Sequence, residues 1–325
     1  MPHPPATERV SVAGLTFAVV SYVLWGFLPL LFVALAPTSA VEIVSWRIVL
    51  SLVFCAVLLF IARGWGRLSV ILRDRVSMIT LTIAAVFILV NWSVFIFATL
   101  SNRVVEASLG YFANPIVTVL LGVLFLREKL RPLQWVAIAT SALAVIALAV
   151  GYGSFPWIAV TLAFSFGLYG LTKKRVGPRV DAIGGLTVET AVLSPAAVIS
   201  LVALAAGPGL TFGTISGVHT ALLASVGVAT ATPLILFAAA ARRIPLVYLG
   251  LVQYLAPILQ LMVGVVILHE DMPPARWIGF GIVWLALAIL TSDLLVHNAR
   301  TKSSAQLADG RAATDGPTPA GKVRA

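Results

Sequence analysis

Ten long apolar segments fill most of this chain, and they constrain its fold more than any other feature. Each is 18 to 24 residues long. At 1.5 Å per helical residue, each is about long enough to cross the roughly 30 Å hydrocarbon core of a membrane. In the whole chain 60% of the residues are hydrophobic and 10% are charged, which excludes an ordinary soluble globular protein. The segments are 12–34, 41–62, 76–98, 104–125, 133–150, 154–171, 182–205, 217–240, 245–268 and 276–296.

The basic residues predict how these segments are oriented. The net charge of +10 could suggest a nucleic-acid partner, but the positions of the charges argue against one. Of the 22 Lys and Arg residues, 19 lie in the two tails and in alternate loops, which would all face one side. Only Arg103 and Arg276 lie in the other loops, and Arg47 lies inside a segment. This asymmetry predicts cytoplasmic N- and C-termini and a neighbourhood of anionic membrane lipid, not nucleic acid.

The two ends of the sequence are expected to lie outside the bundle. The first ten residues lack the basic start and the cleavage site of a signal peptide. Residues 1–11 are therefore expected to form a short cytoplasmic tail. Residues 297–325 are rich in Ala, Gly, Ser, Thr and Pro, and we expect a disordered cytoplasmic tail. With one cysteine in the chain, no internal disulfide is expected.

The chain contains an internal repeat at a spacing of 142 residues. Seven residues recur at this spacing without a gap, in the pairs Pro115/Pro257, Ile116/Ile258, Gly122/Gly264, Leu126/Leu268, Glu128/Glu270, Pro132/Pro274 and Trp135/Trp277. The repeat divides the chain into halves of five segments, 12–150 and 154–296. Because five is odd, the second half should cross the membrane in the opposite direction. The predicted fold is thus an all-α membrane protein with ten transmembrane helices in a 5+5 inverted-topology repeat.

Such a repeat is typical of carriers. Two similar halves related by an axis in the membrane plane can exchange conformations around a central site, which gives alternating access. The loop "REKLRP" after the fourth segment corresponds to "HEDMPP" after the ninth. The basic residues are present only in the copy that is predicted to face the cytoplasm. This difference agrees with the inversion.

Arg47 and Glu189 are the two charges that most need an explanation, because they lie inside apolar segments and are repeat-equivalent. Entering from opposite faces, they should border the midplane at levels roughly 10 Å apart. A direct salt bridge is therefore not expected. Arg47 is predicted to bind an anionic or polar group, and Glu189 to be a proton- or substrate-linked carboxylate. Alternatively, Arg47 snorkels outward or pairs with Glu42, and Glu189 reaches a basic residue such as Lys173.

Other polar and aromatic residues lie at related depths and are candidate lining residues. Each has an alternative role in helix packing, since a buried amide often bonds a neighbouring helix. Glu128 and Glu270 lie at segment ends and are predicted to be structural caps or turn partners. The candidate substrate- or ion-binding residues besides Arg47 and Glu189 are Asn91, Tyr111, Asn114, Gln253, Tyr254, Tyr22 and Trp25, and residues 166–167 and 169–170 are candidate lining positions.

Signs of an enzyme are missing from the sequence. There is no HExxH, GxSxG or GxxxxGK[ST] motif. The four His residues are assigned to loops or tails, without the spacing of metal ligands. We therefore expect no catalysis, no cofactor and no metal. Any energy source would be an ion gradient, the gradient of the substrate or another protein.

Several motifs resemble the RarD family of permeases, in the EamA branch of the drug/metabolite transporter superfamily. The motifs are "SYVLWGFLPL", "EASLGYFANP", "AFSFGLYGL", "LTVETAVLSP" and "AARRIPLVYLGLVQYLAP", and the likeness covers all ten segments. The resemblance implies a bacterial inner-membrane carrier in which segments one to four and six to nine surround the pathway, with five and ten peripheral. Trp46 departs from the family, which commonly has His before this Arg, and suggests an aromatic anchor or lid.

The sequence leaves more than one function open. The first is a secondary transporter of a small organic metabolite or drug, with protons as one candidate coupling ion. The second is a membrane scaffold or sensor that reuses the carrier fold, and the third is a channel. The buried charges and the inverted repeat favour the transporter. Substrate, direction, coupling ion and oligomeric state do not follow from the sequence.

Overall fold

Polar caps define where several of the helices begin. A computed structural model describes residues 11–126, 132–152, 155–176, 179–241, 243–244 and 252–293. Ser11, Ser39, Asp74 and Asp181 each accept a hydrogen bond from a first-turn backbone amide at the start of a helix, which satisfies a donor that the helix itself cannot. Ser77 also donates to Asp74 and lowers the pKa of that carboxyl.

The described residues contain helices and no strand. The helices are α1 (Val12–Ala34), α2 (Ala40–Ile61), α3 (Trp65–Arg73), α4 (Arg75–Leu100), α5 (Val104–Leu126), α6 (Pro132–Tyr152), α7 (Trp157–Val176), α8 (Ala182–Ala206), α9 (Gly217–Ala241), α10 (Leu255–Met262), with a π-helical turn at Val263–Ile267, and α11 (Pro274–Asp293). The all-helical class is confirmed for this part of the chain. A helix overlaps each predicted segment, and the ends differ by at most five residues, except at the start of the ninth segment, which lies outside the described ranges.

Seven of these helices are long and apolar enough to cross a membrane: α1, α2, α4, α5, α8, α9 and α11. Large apolar side chains on them face outward. Phe60 and Ile61, for example, are 75% and 71% exposed, as expected where lipid rather than water is the solvent. The chain is therefore a multi-pass membrane protein. The ten-span count, the inverted repeat and the orientation of the termini stay predictions.

The core lies in two main clusters. The larger cluster combines side chains of α1, α2, α4, α7, α8 and α9, and it contains the region around Arg47. The second joins α5 and α10 to α6 and α11. Because α6 and α11 pack in this second cluster, they lie beside α5 rather than in the larger one. This placement agrees with the peripheral position expected for segments five and ten.

Helix α3 was not predicted, because the sequence was searched for segments of membrane-spanning length and α3 has 9 residues. It is amphipathic. Leu68 and Ile71 are buried against the core, whereas Trp65 and Val70 are 50% and 68% exposed. At the spacing of 142, α3 corresponds to residues 207–215, within the segment that connects α8 to α9.

Some predictions fall on residues outside the described ranges, and one differs from the structure. Glu128, both tails beyond Ser11 and Asp293, and the start of the ninth segment lie outside the described ranges. The assignment of His219 to a loop was wrong. It lies in the first turn of α9, is 5% exposed and bonds the Thr38 hydroxyl at 2.9 Å.

Candidate functional site

Arg47 lies in the middle of α2 and is held by aromatic rings. Its guanidinium carbon lies 4.3 Å from the ring centroid of Trp92 on α4 and 5.6 Å from that of Phe32 on α1. The residue is 3% exposed, so it does not snorkel to a lipid phosphate. Among the described residues, its Nε and Nη1 have no hydrogen-bond acceptor. The site thus holds a buried cation with free donors.

Glu42 does not pair with Arg47, although the sequence left that possibility open. Its Oε1 accepts hydrogen bonds from the backbone amides of Thr211 and Phe212, at 2.9 and 3.2 Å. Trp46, next to Arg47, stacks on Phe212 with the two ring centroids 4.6 Å apart. The segment that connects α8 to α9 therefore packs on the start of α2, beside Arg47.

Glu189 forms an ion pair with Lys173, which was the alternative interpretation of the sequence. Lys173 Nζ lies 2.6 Å from its Oε1, and the Tyr169 hydroxyl donates to its Oε2 at 3.2 Å. Glu189 is 1% exposed, while the side chain of Lys173 is 29% exposed. Both partners come from α7, four residues apart and hence on one face of the helix. The ion pair thus joins α7 to α8, with its Lys173 end partly exposed.

The two charges lie at different levels of the bundle. Cys55 on α2 lies beside Thr187, two residues before Glu189, and is near enough to Glu189 to interact with it electrostatically. Cys55 comes eight residues after Arg47, or about 12 Å along α2. This separation is close to the one expected from the sequence. The ion pairs found in the described ranges join Arg103 to Glu106 and Lys173 to Glu189, not Arg47 to Glu189.

A row of aromatic rings connects the surroundings of Arg47 to those of Glu189. Neighbouring centroids are 6.1, 5.6, 6.0 and 6.0 Å apart, within the range of favourable edge-to-face contact. Phe32 and Phe95 are buried, whereas the last three rings are partly exposed. The rings follow the order Phe32, Phe95, Tyr111, Phe166 and Tyr169.

Asn91 and Tyr111, both predicted candidates, belong to one hydrogen-bonded network. The Tyr111 hydroxyl donates to Asn91 Oδ1 at 2.9 Å. Asn91 Nδ2 donates to the Leu162 carbonyl and to Ser165 Oγ, at 3.2 and 3.1 Å. The network fixes α4, α5 and α7 to one another beside the ring row. It accounts for Asn91 as a packing residue, as the alternative interpretation proposed.

Replacing Asn91 by Leu should destabilise the fold by about 2 kcal/mol. Three hydrogen bonds between helices would be lost, at an average of about 0.6 kcal/mol each in membrane proteins. Asn114→Leu is the matched control, since Asn114 Oδ1 has no donor among the described residues. Thermal unfolding in mild detergent would measure both. Equal losses in the two variants would contradict the role assigned to the network.

The remaining predicted residues lie elsewhere. Tyr22 and Trp25 pack edge to face at 5.3 Å and touch Phe237 of α9, in a cluster of α1, α9 and α10, and Trp25 also packs against the larger core cluster. Tyr254 is hydrogen-bonded to Thr291 of α11. Gln253, its neighbour, is partly buried. Arg47, Asn91, Tyr111 and Glu189 therefore lie beside the ring row, whereas Tyr254 does not.

Two carboxylates connect distant helices, and only one of them, Glu270, was predicted from the sequence as a cap or turn partner. Glu270 accepts hydrogen bonds from the amides of Val104 and Val105 at the start of α5, which confirms its predicted role as a cap. Burial raises the pKa of Glu270, while these two amides oppose the rise. Glu106 accepts from the Ile158 amide of α7 at 3.1 Å. A carboxylate near a predicted helix end was the only signal, and it does not identify the partner helix.

Comparison with known proteins agrees with this architecture. Residues 12–150 match the EamA-like transporter family. Protein RarD of Streptomyces exfoliatus is 44% identical over 301 residues, which cover 93% of this chain and 95% of that protein. The uncharacterized transporter YojE of Bacillus subtilis is 40% identical over 294 residues, which cover 89% and 97%.

A protein of known crystal structure shares the fold. It aligns with a TM-score of 0.56 at 18% identity, over 87% of this chain and 98% of its own. At that identity the likeness concerns the fold alone. The family model and the two long alignments carry the assignment, and the chain therefore belongs to the RarD family of EamA-like transporters.

Proposed function

We propose that this protein is a secondary transporter that moves a small organic metabolite or drug across the bacterial cytoplasmic membrane by alternating access. In this proposal two five-helix repeats, 12–150 and 154–296, cross the membrane in opposite directions. The tails 1–11 and 297–325 lie in the cytoplasm. Family membership supports a transporter in general, and the finer mechanism rests on the charged residues of the bundle.

The observation that carries the proposal is the pair of buried, opposite charges at repeat-equivalent positions. Arg47 and Glu189 are 3% and 1% exposed, on helices α2 and α8 that pack along each other. Charges inside a membrane bundle are costly and usually mark a substrate or ion pathway. A scaffold would need neither of them.

Glu189 is the proposed proton-carrying group. Its carboxylate forms an ion pair with Lys173, with 2.6 Å between Nζ and Oε1. Protonation would remove the negative charge and release Lys173, and the contact between α7 and α8 would weaken. A proton could thus bias the relative position of the two helices, which both lie in the second repeat. Proton coupling would thus have a local cause, because protonation changes the charge at the contact between α7 and α8.

The experiment is transport in proteoliposomes, with a ligand first found by thermal shift among amino acids, aromatic metabolites and amphenicol-like drugs. Ligands that bind the folded state raise its melting temperature. An imposed proton gradient should drive accumulation in the wild type. Glu189→Gln should lose that accumulation but keep exchange of labelled for unlabelled ligand, because exchange requires no net proton movement.

The matched control is Asp271→Asn, which neutralises an exposed carboxylate in the loop before α11. It should accumulate ligand as the wild type does. Accumulation that survives Glu189→Gln would assign coupling to another group. If reconstituted protein showed no saturable flux of any ligand that it binds, the transporter proposal itself would be wrong, and a scaffold or sensor would be favoured.

A further inference from the structure

Arg47 is a buried cation without a counterion among the described residues. The nearest carboxylate along α2, Glu42, accepts hydrogen bonds from the backbone amides of Thr211 and Phe212. Glu189 forms an ion pair with Lys173. The other acidic side chains inside or at the ends of the described helices serve as caps or belong to other contacts. The guanidinium therefore depends on the rings of Trp92 and Phe32.

Two rings do not replace a counterion. Even a desolvated cation–π contact is weaker than the penalty for removing a single ion from water. In addition, Nε and Nη1 of Arg47 are donors without an acceptor in the described ranges, and each unmade hydrogen bond of a buried group adds to the cost. An oxyanion that accepts from these nitrogens would offset the penalty.

We propose that Arg47 binds the anionic group of the substrate, so that the transported molecule is a small organic anion. A carboxylate is the simplest group that fits, since guanidinium and carboxylate form strong charge-assisted hydrogen bonds. The inference rests on the proposed function, because it names the substrate class of that transporter. It assigns the anion to the Arg47 end of the ring row rather than to the Lys173 end, where Glu189 already neutralises the lysine.

The ring row indicates what the rest of the molecule is like. Beyond Phe32 and Phe95, the partly exposed rings of Tyr111 and Phe166 continue away from Arg47, with 6.0 Å between their centroids. Aromatic rings such as these favour a substrate whose apolar part is also flat, through apolar burial and edge-to-face contact. The proposed substrate is therefore an aromatic or similarly flat carboxylate, oriented with its charge against the guanidinium of Arg47.

Three probes of nearly equal shape test the charge requirement: benzoate, benzamide and benzylamine. The readout is the melting temperature of the purified full chain against probe concentration. Benzoate should raise it, and the neutral and cationic probes should not, because they cannot supply the oxyanion. Benzamide that stabilises as well as benzoate would overturn the proposal. So would a lack of any response to benzoate and to cyclohexanecarboxylate up to their solubility.

Substitutions of Arg47 test whether this residue binds the anion. Arg47→Gln should weaken benzoate binding about tenfold or more, the loss typical of one charge-assisted hydrogen bond. Arg47→Lys should retain part of the affinity, which keeps the test usable if the neutral variant folds poorly. Arg67→Gln, which removes an exposed cation from α3, is the control and should bind as the wild type. An unchanged benzoate response in Arg47→Gln would overturn the assignment.

Proteoliposomes separate this inference from the transporter proposal. If benzoate binds through Arg47 but shows no counterflow, the anion site stands and the transporter proposal fails. If benzoate counterflow is saturable yet indifferent to Arg47→Gln and Arg47→Lys, the transporter stands and the anion site fails. Counterflow that is lost with Arg47→Gln and partly retained with Arg47→Lys supports both.

Discussion

Gly227→Ala should sharply reduce the amount of folded protein. A Cβ atom at this position of α9 would lie 2.5 Å from the carbonyl carbon of Leu50 and 2.6 Å from its oxygen. These are backbone atoms in the middle of α2, so α9 would have to move away as a whole. Overpacking typically costs 1–3 kcal/mol and occasionally more. We expect about 3 kcal/mol here, because no side chain can rotate aside.

Gly170→Ala is the matched control. Nothing lies within 4 Å of a Cβ built at Gly170 in α7, so the added methyl meets open space. Alanine is the better helix former by about 0.5–1 kcal/mol, and this variant should be as stable as the wild type or slightly more stable. Fluorescence-detected size exclusion and thermal unfolding would compare them. Equal yields and melting temperatures for the two variants would contradict the close α2–α9 contact.

The helices were predictable from the sequence because length and apolarity are local properties. A segment such as 12–34 must be helical in lipid, where every backbone polar group needs an internal partner. The caps at Ser39 and Asp181 lie at the start of such segments and have the residue types that caps require. Helix α3 was not predicted, because its amphipathic pattern is only nine residues long. Sequence position alone gave no reason to look for it.

The candidate site was predicted only in part, because depth along a helix is easier to predict than direction around it. Asn91 was predicted at a suitable depth, and the ring of its neighbour Trp92 is in contact with Arg47. Tyr254 also had a suitable depth, but it faces α11. The neighbour that a side chain faces around its helix axis depends on packing between segments that are distant in the sequence. No single-sequence pattern contains that information.

Glu189 shows the same limit. Its burial was evident from the flanking "GGLTV" and "TAVLSP" segments. Its partner was uncertain, because several basic residues follow the predicted sixth segment, and Lys173, Lys174 and Arg179 all had the reach. The choice of Lys173 depends on the helical continuation of α7 through Val176, which places Lys173 one turn after Tyr169 on the same face. A segment predicted to end at residue 171 left Lys173 in a loop.

Removal of the Glu42 carboxylate should open one face of the protein. Glu42 at the start of α2 holds the amides of Thr211 and Phe212, and Thr38 bonds both Thr211 and His219. All of these contacts join the proposed first repeat to the second on a single face. Alternating access requires such contacts to break in the opposite state. Glu42→Ala removes two hydrogen bonds to a charged acceptor, together worth about 2 kcal/mol.

The expected result is a large rise in accessibility from that face. The chain has one cysteine, so Cys55→Ser gives a cysteine-free background in which Ser45→Cys reports on the buried start of α2. Ser45 is 3% exposed and lies one turn after Glu42. About 2 kcal/mol shifts a two-state equilibrium roughly 30-fold. The rate of labelling by a membrane-impermeant maleimide should rise by about that factor.

Two further variants calibrate the effect. Glu42→Gln keeps a carbonyl acceptor without the charge and should give an intermediate rate. Asp74→Ala removes a capping carboxylate whose contacts, to Val76 and Ser77, stay within one helix, and it should not change the rate. If all variants label as slowly as the background, Glu42 does not hold this face closed. If Ser45→Cys reacts only from the cytoplasmic side of inverted vesicles, this face is the cytoplasmic one, and the orientation predicted from the basic residues would have to be reversed.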